Sequence, residues 1–282
     1  YQGSAGIDIA MWDLIGKACG QPLYKLWGGG KDRVIPYASM IQLSTPEERA
    51  ETAAKLMSEG WKAIKLRLHY ETMREDIRLV EKVREAVGEG MTIMVDANQA
   101  QSSGNWQPGV LWDFRRAVET ARELQRLGVY WLEEPLPRFY FHQLAELNSR
   151  VELPIAGGEN NRGIHEFVQM LHEDVYDVLQ PESMVLDGIT TLRKVGVLAE
   201  AYGKQVVPHH GGGNIGVIAH LHLVASWPHA PFLELLHDPP IGDYRHRFAM
   251  MANAPTVDSE GYIHVPQGPG LGVEIDRDMI EA

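Results

Sequence analysis

Cysteine is almost absent from this chain: Cys19 is the single one in 282 residues, so no intrachain disulfide can form. That suits a reducing compartment, and the cytoplasm is the expected location. Long apolar runs are missing as well. The most apolar stretch, residues 217–227, is broken by His220 and His222 and is too short to cross a bilayer. No signal-peptide pattern opens the sequence, so no membrane partner is expected. Basic charge is scarce, with 26 Lys and Arg against 38 Asp and Glu and a net charge of −12. This balance disfavours nucleic acid and anionic membranes as partners. It leaves an anionic small molecule open, because a bound divalent cation inverts the local field.

What the chain does contain is an alternating rhythm. Its length allows one large domain or two small ones, and 44% hydrophobic content provides a sizeable core. Strand-like runs fall at residues 34–39, 63–68, 91–95, 129–132, 154–156, 177–179, 205–207 and 231–235. Amphipathic helical patterns lie between them at 46–59, 75–87, 111–127, 141–148, 164–171, 189–201 and 215–226. Thr45, ahead of Pro46 and Glu47, reads as an N-cap. The period averages about 28 residues between Lys65 and Glu234, against roughly 31 for a typical (β/α)8 barrel. Alternation also suits a doubly wound open sheet. Eight units in series, with polar residues at tip after tip, predict instead an α/β fold of the (β/α)8 TIM-barrel type over residues 31–254. Ahead of it, Ile7, Ala10, Met11 and Leu14 recur at helical spacing, and Gly28-Gly29-Gly30 closes the segment. Residues 255–282 form a loop-rich tail expected to pack outside the barrel.

Three successive strand tips end in acids: Asp96, the adjacent pair Glu133 and Glu134, and Glu159. Buried carboxylates are costly unless a cation or hydrogen bonds compensate them. Oxygen ligands on three tips suit Mg²⁺, and no Cys or His accompanies them to favour zinc. Lys65, Arg67 and His69 alternate on the second strand, so their side chains share one face. Arg67 cannot ordinarily release its proton and is a charge stabiliser. Lys65 is an electrophilic partner, or a base if its pKa is depressed. Glu182 and His209 end the neighbouring sixth and seventh strands, where a carboxylate behind an imidazole makes a general acid/base dyad. Gly211, Gly213 and Gly216 match a dinucleotide-binding spacing. His209 and His210 intrude where the strand should feed the first glycine, so a tight turn before a helix is the preferred reading. His220 and His222 are two apart on a helical pattern and do not read as metal ligands.

These motifs together resemble the enolase superfamily, in its mandelate racemase and muconate lactonizing enzyme branch. The resemblance rests on Ile7 through Lys17 with Gln21-Pro22 and Leu26-Trp27-Gly28-Gly29, and on Val95-Asp96-Ala97-Asn98. It continues in Trp131-Leu132-Glu133-Glu134-Pro135, Gly157-Gly158-Glu159-Asn160, Phe232-Leu233-Glu234 and the Pro269-Gly270-Leu271-Gly272 tail. It implies that Asp96, Glu133 and Glu159 bind Mg²⁺, with Glu134 outside the ligand set or in an ion pair at the barrel rim. It further implies His209 as base with Glu182 behind it, and Lys65 and Arg67 on the second strand. Glu234 would contact the developing enediolate, and Asn98, Asn160 and His69 the substrate. Family chemistry removes a proton α to a carboxylate; the superfamily is itself a standard case of a Lys or His base working with Mg²⁺.

Arg67 stands where a second lysine is usual, which removes the obvious base from one face of the substrate. Racemisation needs two opposed bases and elimination one, so the expected reaction is dehydration of an acid sugar, an aldonate or aldarate, to a 2-keto-3-deoxy acid. Racemisation or epimerisation with Lys65 or His69 as the opposing base is the alternative, and a metal- and anion-binding barrel without turnover is another. Cycloisomerisation is disfavoured, since such relatives place a lysine where this chain has Glu182. The resemblance also implies a homo-oligomer, often an octamer. It makes residues 1–30 the end of a capping domain and places specificity in loops such as residues 101–108.

Overall fold

Tyr37, Ala63, Met94, Trp131, Ala156, Val178, Val207 and Phe232 belong to or border eight different strands, and in the computed structural model they meet in one apolar cluster. The structure describes residues 2–100 and 110–281. The anticipated specificity loop at residues 101–108 lies outside the described residues. The elements run α1 (Gln2–Cys19), α2 (Leu23–Leu26), β1 (Arg33–Ser39), α3 (Pro46–Ser58), β2 (Ala63–Arg67), α4 (Met73–Val87) and β3 (Thr92–Asp96). They continue with α5 (Phe114–Arg126), β4 (Leu132–Glu133), α6 (Phe141–Arg150), β5 (Ile155–Gly157), α7 (Gly163–His172), β6 (Val178–Leu179) and α8 (Ile189–Ala201). Then come β7 (Gln205–Val206), α9 (Ile215–Ser226), β8 (Phe232–Leu236), α10 (Tyr244–Arg247), β9 (Ile263–His264) and α11 (Arg277–Glu281).

The strands lie in the order β7-β6-β5-β4-β3-β2-β1-β8, each neighbouring pair parallel. The curl brings β7 round toward β8, where Val206 N–H donates to His229 O at 3.2 Å. This is the expected α/β barrel, with one difference. No long helix follows β8; the four-residue α10 stands there instead. The helices α3 to α9 pack their apolar faces on the outside of the sheet in a second, larger cluster. Capping boxes at Thr45–Glu48 and Thr72–Glu75 start α3 and α4, as the sequence at Thr45 predicts.

The segment before the barrel docks in a way its apolar spacing does not foretell. Ile7, Met11 and Leu14 are 68%, 54% and 60% exposed, whereas Ala5 and Ile9 face inward. Polar contacts set the rotation of α1. The N-cap residue of α8 is Gly188, which has no side chain to offer. Asp8 takes its place, accepting from Thr190 N at 2.9 Å and Thr190 Oγ1 at 2.5 Å. Trp12 Nε1 donates to the same hydroxyl at 2.8 Å. The tail packs outside the barrel: β9 pairs antiparallel with the start of β1, and Leu271 N–H donates to Asp13 at 2.9 Å.

Two buried polar clips hold these layers. Arg49 of α3 meets Asp238 at 2.7 Å, and Asp238 also accepts from Ile41 N at 2.9 Å, tying the ends of β1 and β8 to a helix. His222 on α9 accepts from Tyr24 N at 3.2 Å through Nδ1, so Nε2 donates to Leu271 O at 3.0 Å. This is a satisfied core histidine, in keeping with the reading that it is no metal ligand. Arg49→Ala strands Asp238 as an uncompensated buried charge, and the expected loss is about 3–5 kcal/mol, read as a lower urea midpoint at unchanged slope. Burial holds His222 down to about 4 in the folded chain, below the ordinary 6.5. The unfolded chain therefore binds a proton that the folded chain refuses, and stability falls as pH drops from 6.5 toward 4. In His222→Gln that slope should flatten by about 1.4 kcal/mol per pH unit over the same window, measured by urea unfolding at stepped pH.

Candidate active site

Alternation along the strands carries the apolar floor upward into a polar centre. Two residues beyond Ala63 comes Lys65, beyond Met94 comes Asp96, beyond Trp131 comes Glu133, and beyond Val178 comes Gln180. Val207 and Phe232 lead likewise to His209 and Glu234. Glu159 is reached differently. Gly158, at φ +117°, turns the chain after β5 so that the next side chain faces inward.

Lys65 sits at the centre, 1% exposed. Its Nζ lies 2.8 Å from Glu133 Oε1, 2.9 Å from Glu234 Oε1 and 3.7 Å from Asp96 Oδ2. Burial alone would lower its pKa, but Glu133 and Glu234 outweigh burial and hold it well above the ordinary range. The two carboxylates thus favour the charged form of Lys65. Arg67 donates to Asp96 Oδ2 at 2.7 Å and to Met40 O at 2.9 Å, and also contacts Asn98 Oδ1. Asn98, buried at φ 49°, gives its N–H and its amide to Asp96 at 2.8 and 3.0 Å. Asn160 donates to Glu159 at 3.0 Å. His69 is half-buried beyond Arg67, and burial lowers its pKa.

On the far side, His209 Nδ1 is 2.9 Å from Glu182 Oε2, and Nε2 is 3.1 Å from Glu159 Oε2. Desolvation disfavours the charged imidazole, yet Glu159, Glu234 and Glu182 prevail and push it up to about 10. Glu182 falls to about 2: burial opposes its charge, but the hydrogen bond from His209 and the neighbouring imidazoles stabilise it. Its Oε2 also accepts from Gly211 N at 2.9 Å, and its Oε1 from Met184 N at 3.0 Å. Glu182, His209 and His210 offer ligand atoms within 4.8 Å of one another. Glu182 is nevertheless saturated by hydrogen bonds, so the trio is a braced dyad and not a vacant ligand set. The nearby glycines serve packing: a Cβ on Gly216 would lie 1.9 Å from Gly211 O.

Asp96, Glu133 and Glu159 also offer ligand oxygens within 4.8 Å of one another, all three buried. Their chemistry fits a hard divalent cation. Burial and the neighbouring acids raise Glu133 despite Lys65, which marks a cluster short of positive charge. Carboxylates outnumber cations here: Asp96, Glu133, Glu159 and Glu234 are gathered round Lys65 and Arg67, an imbalance that a hard divalent cation would offset.

Glu134 takes the first of its two expected places, outside the group of three ligand acids. Positive φ (45°) breaks the alternation, so its carboxylate is buried beside Asn160 at 3.5 Å and forms no ion pair at the rim among the described residues. Gln180, which donates to Glu133 Oε2 at 2.7 Å, was not among the expected site residues. Its position two residues before Glu182 on the same strand face is the signal that could have found it.

Fold and site together define a TIM-barrel enzyme class with a carboxylate metal centre facing a His–Glu dyad. The chain belongs to the enolase superfamily: residues 48–279 match the family described as enolase C-terminal domain-like. It is 32% identical to arabinonate dehydratase of Saccharolobus solfataricus, covering 99% of this chain and 71% of that one. It is 29% identical to D-galactarolactone cycloisomerase of Agrobacterium fabrum, covering 98% and 72%. L-talarate dehydratase from a Polaromonas species, solved with Mg and L-glucarate, superposes with TM-score 0.84 at 28% identity over 97% of this chain and 70% of that one. Dehydratases and a cycloisomerase thus match at similar identity, so these comparisons lend no support to the expectation that disfavoured cycloisomerisation. Glu133→Gln should weaken Mg²⁺ binding at least ~10-fold by calorimetry while leaving the barrel folded by circular dichroism.

Proposed function

We propose that this protein dehydrates an acid sugar, an aldonate or aldarate, to a 2-keto-3-deoxy acid. The observation that carries the reading is the one-sided placement of proton-transfer groups. His209 with Glu182 faces the carboxylate cluster from one side. On the second strand stand Arg67, whose guanidinium does not ordinarily give up its proton, and Lys65, ion-paired with Glu133 and Glu234.

In this reading Asp96, Glu133 and Glu159 hold Mg²⁺. Held there, the ion would offset the charge of Glu159, the acid that most raises His209, and would supply Lewis-acid stabilisation to charge developing on the substrate carboxylate. His209 takes the α-proton at Nε2 while Glu182 holds Nδ1 and stabilises the imidazolium. Lys65 and Arg67 add fixed positive charge to the site as the enediolate forms. The imidazolium then returns its proton to the β-hydroxyl, the C–O bond breaks, and water leaves. The remaining enol tautomerises to the 2-keto-3-deoxy acid. Asn98 and Asn160 position Asp96 and Glu159 by hydrogen bonds and, in this reading, contact the substrate.

The test is a panel of aldonates and aldarates incubated with full-length protein and Mg²⁺ in D₂O, followed by NMR. The expected outcome is a 2-keto-3-deoxy acid from at least one member. In His209→Asn, turnover and α-proton exchange should drop by about 10²- to 10⁴-fold. No turnover across the panel, or exchange persisting in His209→Asn, would sink the reading. Deuterium in recovered substrate of both configurations would favour epimerisation, with Lys65 or His69 as the opposing base. D-Galactarolactone belongs in the panel, because the cycloisomerase relative is named for it. Its conversion without loss of water would shift the assignment to cycloisomerisation.

A further inference from the structure

The clamp between α1 and α8 ends close, along the chain, to the dyad acid. Glu182 begins a compact turn in which its carbonyl accepts from Val185 N and Leu186 N, both at 3.0 Å. Ser183 O accepts from Gly188 N at 2.8 Å, which closes the turn one residue before α8 starts. Leu186 and Ser183 are buried, so the turn has little room to shift as a unit. Its far end is fixed from outside the barrel. Asp8 supplies the N-cap that Gly188 lacks, and Ser4 Oγ donates to Asp187 at 2.6 Å. A Cβ on Gly188 would lie 2.4 Å from the Asp8 carboxylate, so this approach requires glycine there. At its near end, the turn presents Glu182 to His209 and to Gly211 N, each at 2.9 Å.

We propose that Asp8 is a positioning residue for the Glu182–His209 dyad. By anchoring the N-terminus of α8, it fixes the turn 182–188 and hence the carboxylate that orients His209. Asp8 touches neither dyad member; it acts through Thr190 and the turn. Displacements far smaller than a residue matter at such a contact, since about 1 Å of misplacement can cost about 10²-fold in rate. This inference rests on the reading of Glu182–His209 as the proton-transfer dyad.

The experiment follows the His209 Nδ1 proton by NMR of the histidine-labelled full-length protein, assigned by its disappearance in His209→Asn. Glu182→Gln marks where the signal moves when the carboxylate is lost. Asp8→Ala should shift it upfield toward that position. Mg²⁺ affinity by calorimetry should stay within about twofold, because Asp96, Glu133 and Glu159 stand on other strands. Should Asp8→Ala fail to fold, Asp8→Asn and Thr190→Val carry the same measurement, each removing part of the clamp. A signal that moves in Glu182→Gln but keeps its wild-type position in every clamp variant overturns the proposal. The two readings fail separately: α-proton exchange surviving in His209→Asn removes the base assignment, while the resonance still reports whether Asp8 holds Glu182.

Discussion

A cluster of carboxylates can occupy the mouth of a barrel only if positive charge is buried with it, and Lys65 is that charge. It lies within 3 Å of both Glu133 and Glu234 and within 4 Å of Asp96. Without it, acids on three strands would face one another across a space closed below by apolar rings. Lys65 offsets only part of their repulsion, which is why the cluster still suits a divalent cation. The apolar floor matters too. Tyr37, Trp131 and Phe232 pack edge to face beneath the site and keep water from screening the charges above.

The two halves of the site are braced in different ways. The carboxylate half is held from within the sheet: Asp96 by Asn98 and Arg67, and Glu133 by Lys65 and Gln180. The dyad half is held by loops. Glu182 is fixed by the main chain of Met184 and Gly211.

Period-two alternation made much of this legible in advance. The eight strands lie within about three residues of the positions read from their apolar runs, and Lys65, Asp96, Glu133 and His209 share an inward face by simple counting. Counting failed where the backbone leaves the extended region. Glu134 at positive φ turned back toward the cluster, and Gly158 redirected Glu159 into it. At α1 the apolar spacing marked the helix but not its buried face, since Ile7, Met11 and Leu14 are exposed while Ala5 and Ile9 face inward. The face that docks is the one where Asp8 accepts from Thr190 and Trp12 donates to it.

By itself the sequence determined the barrel, the acids at the strand tips and the histidine that faces them. Each depends on local periodicity and residue type, which a single chain displays. Only the tertiary structure decided that Lys65 is a held cation and that Glu134 is buried. It alone paired Asp8 with the end of α8. Those outcomes depend on which charges and main-chain groups meet across long stretches of sequence, and spacing along the chain carries no record of such meetings.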